Sequence, residues 1–460
     1  MLLGVSLIDF ISVEASERFQ DSKICIERTE GTTRSPNILL FNCHYGSGHK
    51  MATQGITERL PECNIKVVDI YDEPLRSLDP MRDLAPNMSN EKLYNDMAKK
   101  ERNTLLNFAG KIGPKLFFLQ RNNVEELLEN FIGKEKPDMI ISCVPLVNPM
   151  LLTVAKKLEI PLLVITTDID LSAFCYGFEN QDRYKYSKFR ITVPFSKVDW
   201  FHKFGRRLPE SAIDSLQYQF AYPTRLAFSE VFEESILENL RSEYQIQPDE
   251  NVILVMMGGN TAKAASQYSE LLLNMTNEEI SRIVGKQNKR DKIRLICLCG
   301  DVKQKDNQSL MTQLNALNCS KNKRNNRVYI HACPGTPRIA ELASLPELCT
   351  VISKPGGSTV NEMIKKKVPM VYHVSRVPLD WERGNMEYGV SRNLGRRFQI
   401  SGKLNQKTKK SFENALIDTF ALHRDIQNGN KQIPEAKFDF TKNLRSTVKE
   451  MLSCEDPAHE

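Results

Sequence analysis

The stretch Ser353-Lys-Pro-Gly-Gly-Ser-Thr-Val-Asn-Glu-Met363 decides the fold prediction for this chain. The apolar residues that lead into it, from Cys349 onward, are typical of a buried parallel strand, and those that follow recur at helical spacing. Between the two elements, Gly356 and Gly357 allow a ligand to come close to the backbone, and a following hydroxyl residue is expected to cap the helix. A helix N-terminus offers free N–H groups and a partial positive charge, so the turn predicts a phosphate site. The alternative is a tight turn that only caps the helix.

A second glycine turn lies early in the chain. The apolar run 37–43 is predicted as a strand that leads into His44-Tyr-Gly-Ser-Gly-His-Lys50 and then into a helix ending near Leu60. Residues 65–70 form the next predicted strand. A strand, a glycine turn, a helix and a further strand make the opening unit of a doubly wound α/β domain.

The same pattern continues along the chain and predicts an α/β fold with two doubly wound, Rossmann-like domains that face each other across a cleft. Further strands are expected at 138–143, 162–166, 189–193, 252–257, 294–298, 328–331, 350–353 and 370–372, and helices near 147–158 and 196–204. The predicted parts are an extension over 1–34, a first domain over 35–223, a second domain over 224–400 and a helical tail over 401–460. Residues 74–135 interrupt the first domain as a helical insertion.

Composition narrows the class of protein. A net charge of +6 over 460 residues fits an anionic substrate or membrane surface, and no tract is dense enough in Lys and Arg to predict nucleic-acid binding. The 11 cysteines contain no Cys-x-x-Cys pair, which indicates free thiols in a reducing compartment. No apolar run is long enough to span a membrane, and the N-terminus lacks the features of a signal peptide. We therefore expect a cytoplasmic protein, with peripheral membrane attachment left open.

The insertion is the part that raises the question of a membrane. Between residues 99 and 121, aromatic and aliphatic side chains alternate with basic ones, namely Phe108, Leu116, Phe117, Phe118 and Leu119 among Lys99, Lys100, Arg102, Lys111, Lys115 and Arg121. This mixture suits a surface that touches anionic lipid. The alternative is that these helices pack on their own domain.

Six short motifs follow one another along residues 37–400. They are Tyr45-Gly-Ser-Gly-His-Lys-Met-Ala52, Thr166-Thr-Asp168, Met257-Gly-Gly259, Cys299-Gly300, Ser353-Lys-Pro-Gly-Gly-Ser-Thr359 with Glu362, and Glu382-Arg-Gly-Asn385. In this order they resemble the GT-B glycosyltransferases of the monogalactosyldiacylglycerol synthase and processive diacylglycerol glucosyltransferase family. The peptidoglycan N-acetylglucosaminyltransferase is a more distant relative of that family.

The resemblance implies an inverting transfer of a sugar from a nucleotide-diphosphate donor, most often a UDP-sugar, to a hydroxyl acceptor of the diacylglycerol-lipid type. We expect no metal, because the helix after the glycine turn and Lys354 can stabilise the leaving diphosphate, and no cofactor apart from the nucleotide sugar as co-substrate. The loop 354–359 would hold the diphosphate, Glu362 the ribose, and Asn385 would lie near the sugar. The implied donor-binding residues are Gly258, Gly259, Asn260, Gly300, Lys354, Pro355, Gly356, Gly357, Ser358, Thr359, Glu362, Asp380, Glu382 and Asn385, and the acceptor-side loop is Gly46, Ser47 and Gly48.

The resemblance also implies that His49 is the base, and its chemistry suits the role. An inverting transfer needs a group that takes the proton of the acceptor hydroxyl, and a neutral imidazole can do so near pH 7. His44 competes for this role, and Asp168 or Asp170 is the candidate to orient the ring. The sequence Asp168-Ile-Asp170 also matches the Asp-x-Asp motif of metal-dependent transferases. We set a metal site aside because this motif lies in the acceptor half, whereas the phosphate turns lie in the other half.

One segment departs from the family. Relatives usually show Gly-Gln-Glu before the Gly-Asn pair, whereas this chain reads Leu379-Asp-Trp-Glu382, so the sugar is left open. Asp301 likewise stands where relatives commonly have Asn. Three alternatives remain at this stage: a protein or small-molecule acceptor, a nucleotide-sugar 2-epimerase, and an inactive nucleotide-sugar-binding protein. The Gly-Ser-Gly-His turn argues against the epimerase.

Overall fold

The computed structural model describes residues 34–45, 48–79, 81–82, 88–100, 102–178, 186–194, 216–257, 261–285, 289–319, 324–375, 377–400 and 404–453. Several predictions fall outside these residues. They are the extension before residue 34, the helix near 196–204, and the site residues Gly46, Ser47, Gly258, Gly259 and Asn260. The side chain of Lys99 is also outside the description.

The first half contains a six-stranded sheet in the order β2-β1-β3-β4-β5-β6, with every neighbouring pair parallel. Its strands are β1 Asn37–Asn42, β2 Asn64–Asp69, β3 Met139–Ser142, β4 Leu162–Val164, β5 Phe189–Thr192 and β6 Leu216–Gln217, and its helices are α1 Gly48–Thr57, α2 Asn90–Lys99, α3 Asn103–Leu119, α4 Arg121–Glu135 and α5 Asn148–Lys157. The chain runs from β1 outward to β2 and then returns to the other side of β1 with β3. The point between β1 and β3 is therefore the switch point at which such sheets bind ligands.

The second half repeats the arrangement, with a parallel sheet in the order β12-β11-β10-β7-β8-β9. Its strands are β7 Glu250–Met256, β8 Lys292–Leu298, β9 Val328–Cys333, β10 Leu348–Ser353, β11 Met370–Val374 and β12 Gly395–Gln399. Its helices are α6 Glu234–Glu243, α7 Thr261–Leu273, α8 Asn277–Val284, α9 Lys305–Ala316, α10 Ile339–Leu342, α11 Gly357–Lys366 and α12 Asp380–Ser391, followed by α13 Gln406–Gln427 and α14 Phe440–Ser453. The switch point lies between β7 and β10, and the glycine turn 354–357 leaves β10 at this point. The predicted α/β class with two doubly wound domains is confirmed.

Burial explains why the strands could be recognised. All six residues of β10 are buried, as are the four residues of β3, because helices cover both faces of a parallel sheet. Strands of this kind appear in the sequence as continuous apolar runs. No described helix has both the length and the apolar character needed to cross a membrane.

The two helices of the tail pack against different halves of the structure. Helix α13 places Phe412, Leu416 and Phe420 in the core of the second sheet. Helix α14 then returns to the first sheet, where Phe440 and Leu444 share a core with residues of β1 and α1. Helix α14, the last one among the described residues, therefore completes the hydrophobic core of the first domain.

Candidate active site at the cleft

His49 lies in the first turn of α1, at the switch point of the first sheet. Its side chain is buried, and its Nδ1 atom lies 2.9 Å from the carbonyl oxygen of Cys143, which follows β3. Because a carbonyl can only accept a hydrogen bond, Nδ1 carries the proton and Nε2 is left as the basic atom. The hydroxyl of Thr167 lies 3.4 Å from the same Nδ1. The ring is thus held by main-chain and neutral groups.

This arrangement corrects the expectation about the orienting group. The sequence suggested Asp168 or Asp170, but the position at Nδ1 belongs to the backbone of Cys143. Asp170 instead accepts hydrogen bonds from the backbone N–H and the hydroxyl of Ser172, and so caps its own turn. No periodicity or spacing in a sequence reports which carbonyl a histidine will meet.

His49 and Asp168 influence each other's protonation. Burial lowers the pKa of His49, while the nearby Asp168 acts in the opposite direction. Burial raises the pKa of Asp168, and His49 and a hydrogen bond from Asn385 oppose the rise. The lowered pKa keeps the imidazole neutral at pH 7, which is the form that can accept a proton.

Asn385 joins the two halves. Its Nδ2 atom donates to the Asp168 carboxylate and to the Pro355 carbonyl, each at 3.0 Å, and its Oδ1 atom accepts from the backbone N–H of Ile169 at 2.8 Å. The residue is fully buried. The sequence placed Asn385 near the sugar, but here its amide is engaged at the contact between Asp168 and the phosphate turn. Asp168 therefore lies beside that turn, contrary to the separation on which we set aside the Asp-x-Asp interpretation.

The two glycines of the second turn have different surroundings. A Cβ atom on Gly357 would lie 2.1 Å from the Thr167 carbonyl oxygen and 2.6 Å from an Asp168 carboxylate oxygen, whereas Gly356 has open space in the same position. Gly357 is required by the close approach of the first half. Gly356 is the N-cap of α11 and has no side-chain cap, so its open side leaves the helix N-terminus accessible to an anion.

Ser358 does not cap the helix, as the sequence had suggested it or Thr359 would. Its hydroxyl donates to the carbonyl oxygen of Gly48 at 2.8 Å. This bond joins the second glycine turn to the first one. The residues of both turns that the structure describes therefore belong to one site.

Lys354 and Glu382 line a narrow cleft next to the phosphate turn, together with Pro355, His373, Ser375 and Arg383. Burial raises the pKa of Glu382 to about 7, although Lys354 opposes this rise. Burial, assisted by Lys354, lowers the pKa of His373 to about 4. His373 was not predictable as a cleft residue, because it lies within the apolar run of β11 and no motif distinguishes it.

Glu362 has a partner that the sequence did not predict. Both of its carboxylate oxygens accept from the guanidinium of Arg225, at 2.7 and 2.9 Å, and its side chain is 4% exposed. The role assigned to Glu362 was to bind ribose hydroxyls. In this structure the Glu362 carboxylate instead holds the guanidinium of Arg225, a residue of the connection between the halves.

The segment that departs from the family packs against the insertion. The backbone N–H of Asp380 donates to Asn107 of α3 at 3.0 Å, and the Trp381 ring lies 6.1 Å from the Tyr94 ring of α2. A Cβ atom added to Gly110 of α3 would lie 3.2 Å from the same indole ring. Asp380 and Trp381 thus attach the second half to α2 and α3.

Gly300 lies at the end of β8 with φ of +72°, a conformation that favours glycine. Its carbonyl oxygen accepts from the N–H of Gly335 at 2.8 Å, so it pairs with the loop that follows β9. The predicted donor role of Gly300 stays a prediction.

Known proteins with similar sequences include glucosyltransferases. No family model matches the chain. The chain is 26% identical over 345 residues to a processive diacylglycerol beta-glucosyltransferase of Staphylococcus epidermidis, with 74% of this chain and 76% of that protein covered. The enzyme of the same name from Staphylococcus carnosus is 22% identical over 377 residues, covering 79% of this chain and 81% of that protein.

Solved structures agree on the fold. Arabidopsis thaliana UGT89C1 in complex with quercetin matches with a TM-score of 0.53 at 14% identity, covering 91% of this chain and 100% of that chain. MurG of Acinetobacter baumannii matches with a TM-score of 0.51 at 13% identity, covering 90% of this chain and 99% of that chain. The chain therefore has the fold of the GT-B glycosyltransferases, and 74% of its length is similar in sequence to processive diacylglycerol β-glucosyltransferases.

Proposed function

We propose that this protein transfers a sugar from a UDP-sugar to a hydroxyl of a diacylglycerol-type lipid, with inversion at the anomeric carbon. The observation that carries the proposal is the contact between the two glycine turns, from Ser358 to Gly48. It brings the first turn of α11 into contact with the residue that precedes the base candidate His49. The names of the sequence relatives supply the lipid class of acceptor, and UGT89C1 was solved with UDP and with UDP-L-rhamnose.

In the proposed reaction, His49 is the general base. Nε2 takes the proton of the acceptor hydroxyl as that oxygen attacks the anomeric carbon, and the bond from Nδ1 to the Cys143 carbonyl holds the ring in the required tautomer. The imidazolium that forms is stabilised by the Asp168 carboxylate, which opposes the lowering of the ring's pKa by burial.

The leaving nucleoside diphosphate needs positive charge. The N-terminus of α11, open at Gly356, and the ammonium group of Lys354 provide it on the same side of the cleft. These groups can stabilise the developing charge without a metal ion, and we propose the metal-independent route for that reason. The contact of Gly357 with Thr167 closes the halves on the donor, which would keep water away from the reacting carbon.

Helix α3 provides the proposed membrane surface. The exposed apolar side chains of its outer face recur at spacings of three and four residues, namely Leu105, Phe108, Ile112, Leu116 and Leu119. Phe108 is 63% exposed and Leu119 83%. Phe117 and Phe118 point inward instead, towards Tyr71 and Tyr176.

The charges around this face suit an anionic lipid surface. Lys115 of α3 is exposed, as are Lys100 and Arg102 immediately before the helix begins. An apolar helix face with basic flanks lies at a membrane interface without crossing it. We propose that this face holds the enzyme at the bilayer that contains its acceptor.

The proposal is tested by incubating the purified protein with a panel of UDP-, GDP- and TDP-sugars, with and without diacylglycerol-containing vesicles, and following nucleotide release and glycolipid formation. We expect glycolipid only with a UDP-sugar and vesicles. Release without a lipid product would point to another acceptor or to hydrolysis. Tight nucleotide binding with no release from any donor would identify an inactive binding protein and would sink the proposal.

The membrane surface has its own test. The double variant Phe108→Ser/Leu116→Ser should lose binding to anionic vesicles in flotation experiments while it keeps UDP binding. The matched control is Val231→Ser, because Val231 is 98% exposed and lies outside α3. Equal flotation of the α3 variant and the wild type would contradict the surface assignment.

A further inference from the structure

The described residues contain a cluster of metal-ligating side chains that the proposed reaction does not use. It consists of His44, which follows β1, Asp69 at the end of β2, Asp72 in the next turn, and Glu91 in the first turn of α2. One ligand atom from each residue lies within 4.8 Å of the others. Because the members come from different elements, the fold is what assembles them.

Asp69 has a buried carboxylate oxygen that accepts no hydrogen bond. Its side chain is 9% exposed, and its Oδ1 atom accepts from the backbone N–H groups of Tyr71 and Asp72 at 2.9 and 3.0 Å. Its Oδ2 atom is buried and accepts no hydrogen bond. Nδ1 of His44 lies 2.8 Å from Oδ2, but the contact does not have the geometry of a hydrogen bond. A buried carboxylate oxygen in this state costs free energy unless a cation neutralises it.

The spacing of these two atoms fits two ligands of one cation. Ligands bound at about 2.1 Å and at right angles around a metal ion lie about 3 Å apart, close to the distance between Nδ1 and Oδ2. Glu91 is 6% exposed, and one of its oxygens accepts from the backbone N–H of His44 at 2.7 Å, which holds the histidine in place. Asp72 is 41% exposed and pairs with Arg82, so it lies at the rim of the cluster.

We propose that His44, Asp69 and Glu91, with Asp72 at the rim, bind one divalent transition-metal cation. An imidazole among carboxylates suits Mn²⁺ or Zn²⁺ better than Mg²⁺, which favours oxygen ligands alone. All four ligands belong to the first half, and the cation takes no part in the transfer reaction. The proposal therefore does not depend on the sugar or the acceptor.

The position suggests what the cation does. The residue after His44 begins the turn that leads to His49, and Asn95 of α2 already donates from Nδ2 to the carbonyl oxygen of His44 at 2.9 Å. A cation shared by His44, Asp69 and Glu91 ties this turn to β2 and to α2 of the insertion. It would stabilise the position of the base without touching the substrate.

The test measures binding of Mn²⁺ to the full chain, by the electron paramagnetic resonance signal of the free ion. Mn²⁺ is the suitable probe because it has little preference for thiolates, and the chain has 11 cysteines. We expect the wild type to bind one equivalent and to show a higher Tm with Mn²⁺ than with EDTA. His44→Ala and Asp69→Asn should each weaken binding at least about tenfold.

Asp249→Asn is the control, since Asp249 is a half-exposed carboxylate that pairs with Lys292 outside the cluster, and it should bind Mn²⁺ like the wild type. The exposed side chain of His44 makes its replacement compatible with folding. Absence of Mn²⁺ binding by the wild type up to about 1 mM, the range of the weakest protein cation sites, would overturn the proposal. Wild-type affinity in both cluster variants would overturn it as well.

Discussion

The hydroxyl of Ser358 donates a hydrogen bond to the carbonyl oxygen of Gly48 over a sequence separation of 310 residues. The donor belongs to the proposed phosphate turn and the acceptor to the helix that carries His49. Two glycine turns that are only similar motifs in the sequence are therefore in direct contact in the structure.

Replacing Gly357 with Ala should prevent the halves from closing. The added Cβ would lie 2.1 Å from the Thr167 carbonyl oxygen, a contact that cannot be accommodated without moving the backbone. We expect kcat/KM to fall by at least about 100-fold, since misplacement by about 1 Å has effects of that size. Gly133→Ala is the matched control, because its Cβ position has no neighbour within 4 Å. Similar kinetics for the two variants would contradict the role of Gly357.

The pH dependence of activity should report the protonation of His49. Burial lowers the pKa of this ring, so the neutral, active form persists below the ordinary histidine pKa of about 6.5. In the Glu382→Gln background, where Glu382 no longer titrates, we therefore expect kcat/KM to be constant from pH 8 to about 6.5 and to decline only at lower pH. His49→Ala should abolish transfer and leave UDP binding unchanged. An acid limb centred above pH 7, measured in the Glu382→Gln background, would exclude His49 as the base.

Glu382 predicts a pH effect on nucleotide binding. Its pKa of about 7 means that the carboxyl group gains a proton as the pH falls through 7. The neutral form no longer repels the diphosphate, so UDP affinity should rise about fivefold between pH 8 and pH 6, for roughly 1 kcal/mol of repulsion. Isothermal titration calorimetry with UDP, on the wild type and on Glu382→Gln at each pH, separates this effect from the protonation of UDP itself. Equal pH profiles for the two proteins would rule it out.

The pair formed by Arg225 and Glu362 should be important for stability. Removing the guanidinium by Arg225→Met leaves a carboxylate that is 4% exposed without its partner, a change that costs about 3 kcal/mol. The control is Lys66→Met, whose pair with Glu135 is half-exposed and should contribute less than about 1 kcal/mol. Urea unfolding measures both values. A loss below 1 kcal/mol in Arg225→Met would show that the pair is dispensable.

The sequence predicted the fold well where strands are buried on both faces. It missed β12, Gly395-Arg-Arg-Phe-Gln399, because an edge strand needs few apolar residues, and only Gly395 and Phe398 of this strand are buried. It also missed β6, which has only two residues. Both strands are the last ones at a sheet edge, where pairing with a neighbour decides the conformation and composition says little.

The candidate site was predictable in its glycine turns and its histidine, and unpredictable in its partners. The Cys143 carbonyl and the Arg225 guanidinium reach His49 and Glu362 from residues 94 and 137 positions away. Backbone carbonyls leave no trace in a sequence, and one arginine among many has no distinguishing pattern. The cluster of His44, Asp69 and Glu91 escaped notice for the same reason, since each member lies on a different element.

The path of the tail has a consequence for how the enzyme can open. The chain crosses between the halves once before α6 and again between α13 and α14, so two covalent connections lie between the domains. Any rotation of one half against the other must bend both connections together. Cutting the chain after α13 would remove one connection together with part of the first domain's core, so the two domains are not separable as independent halves.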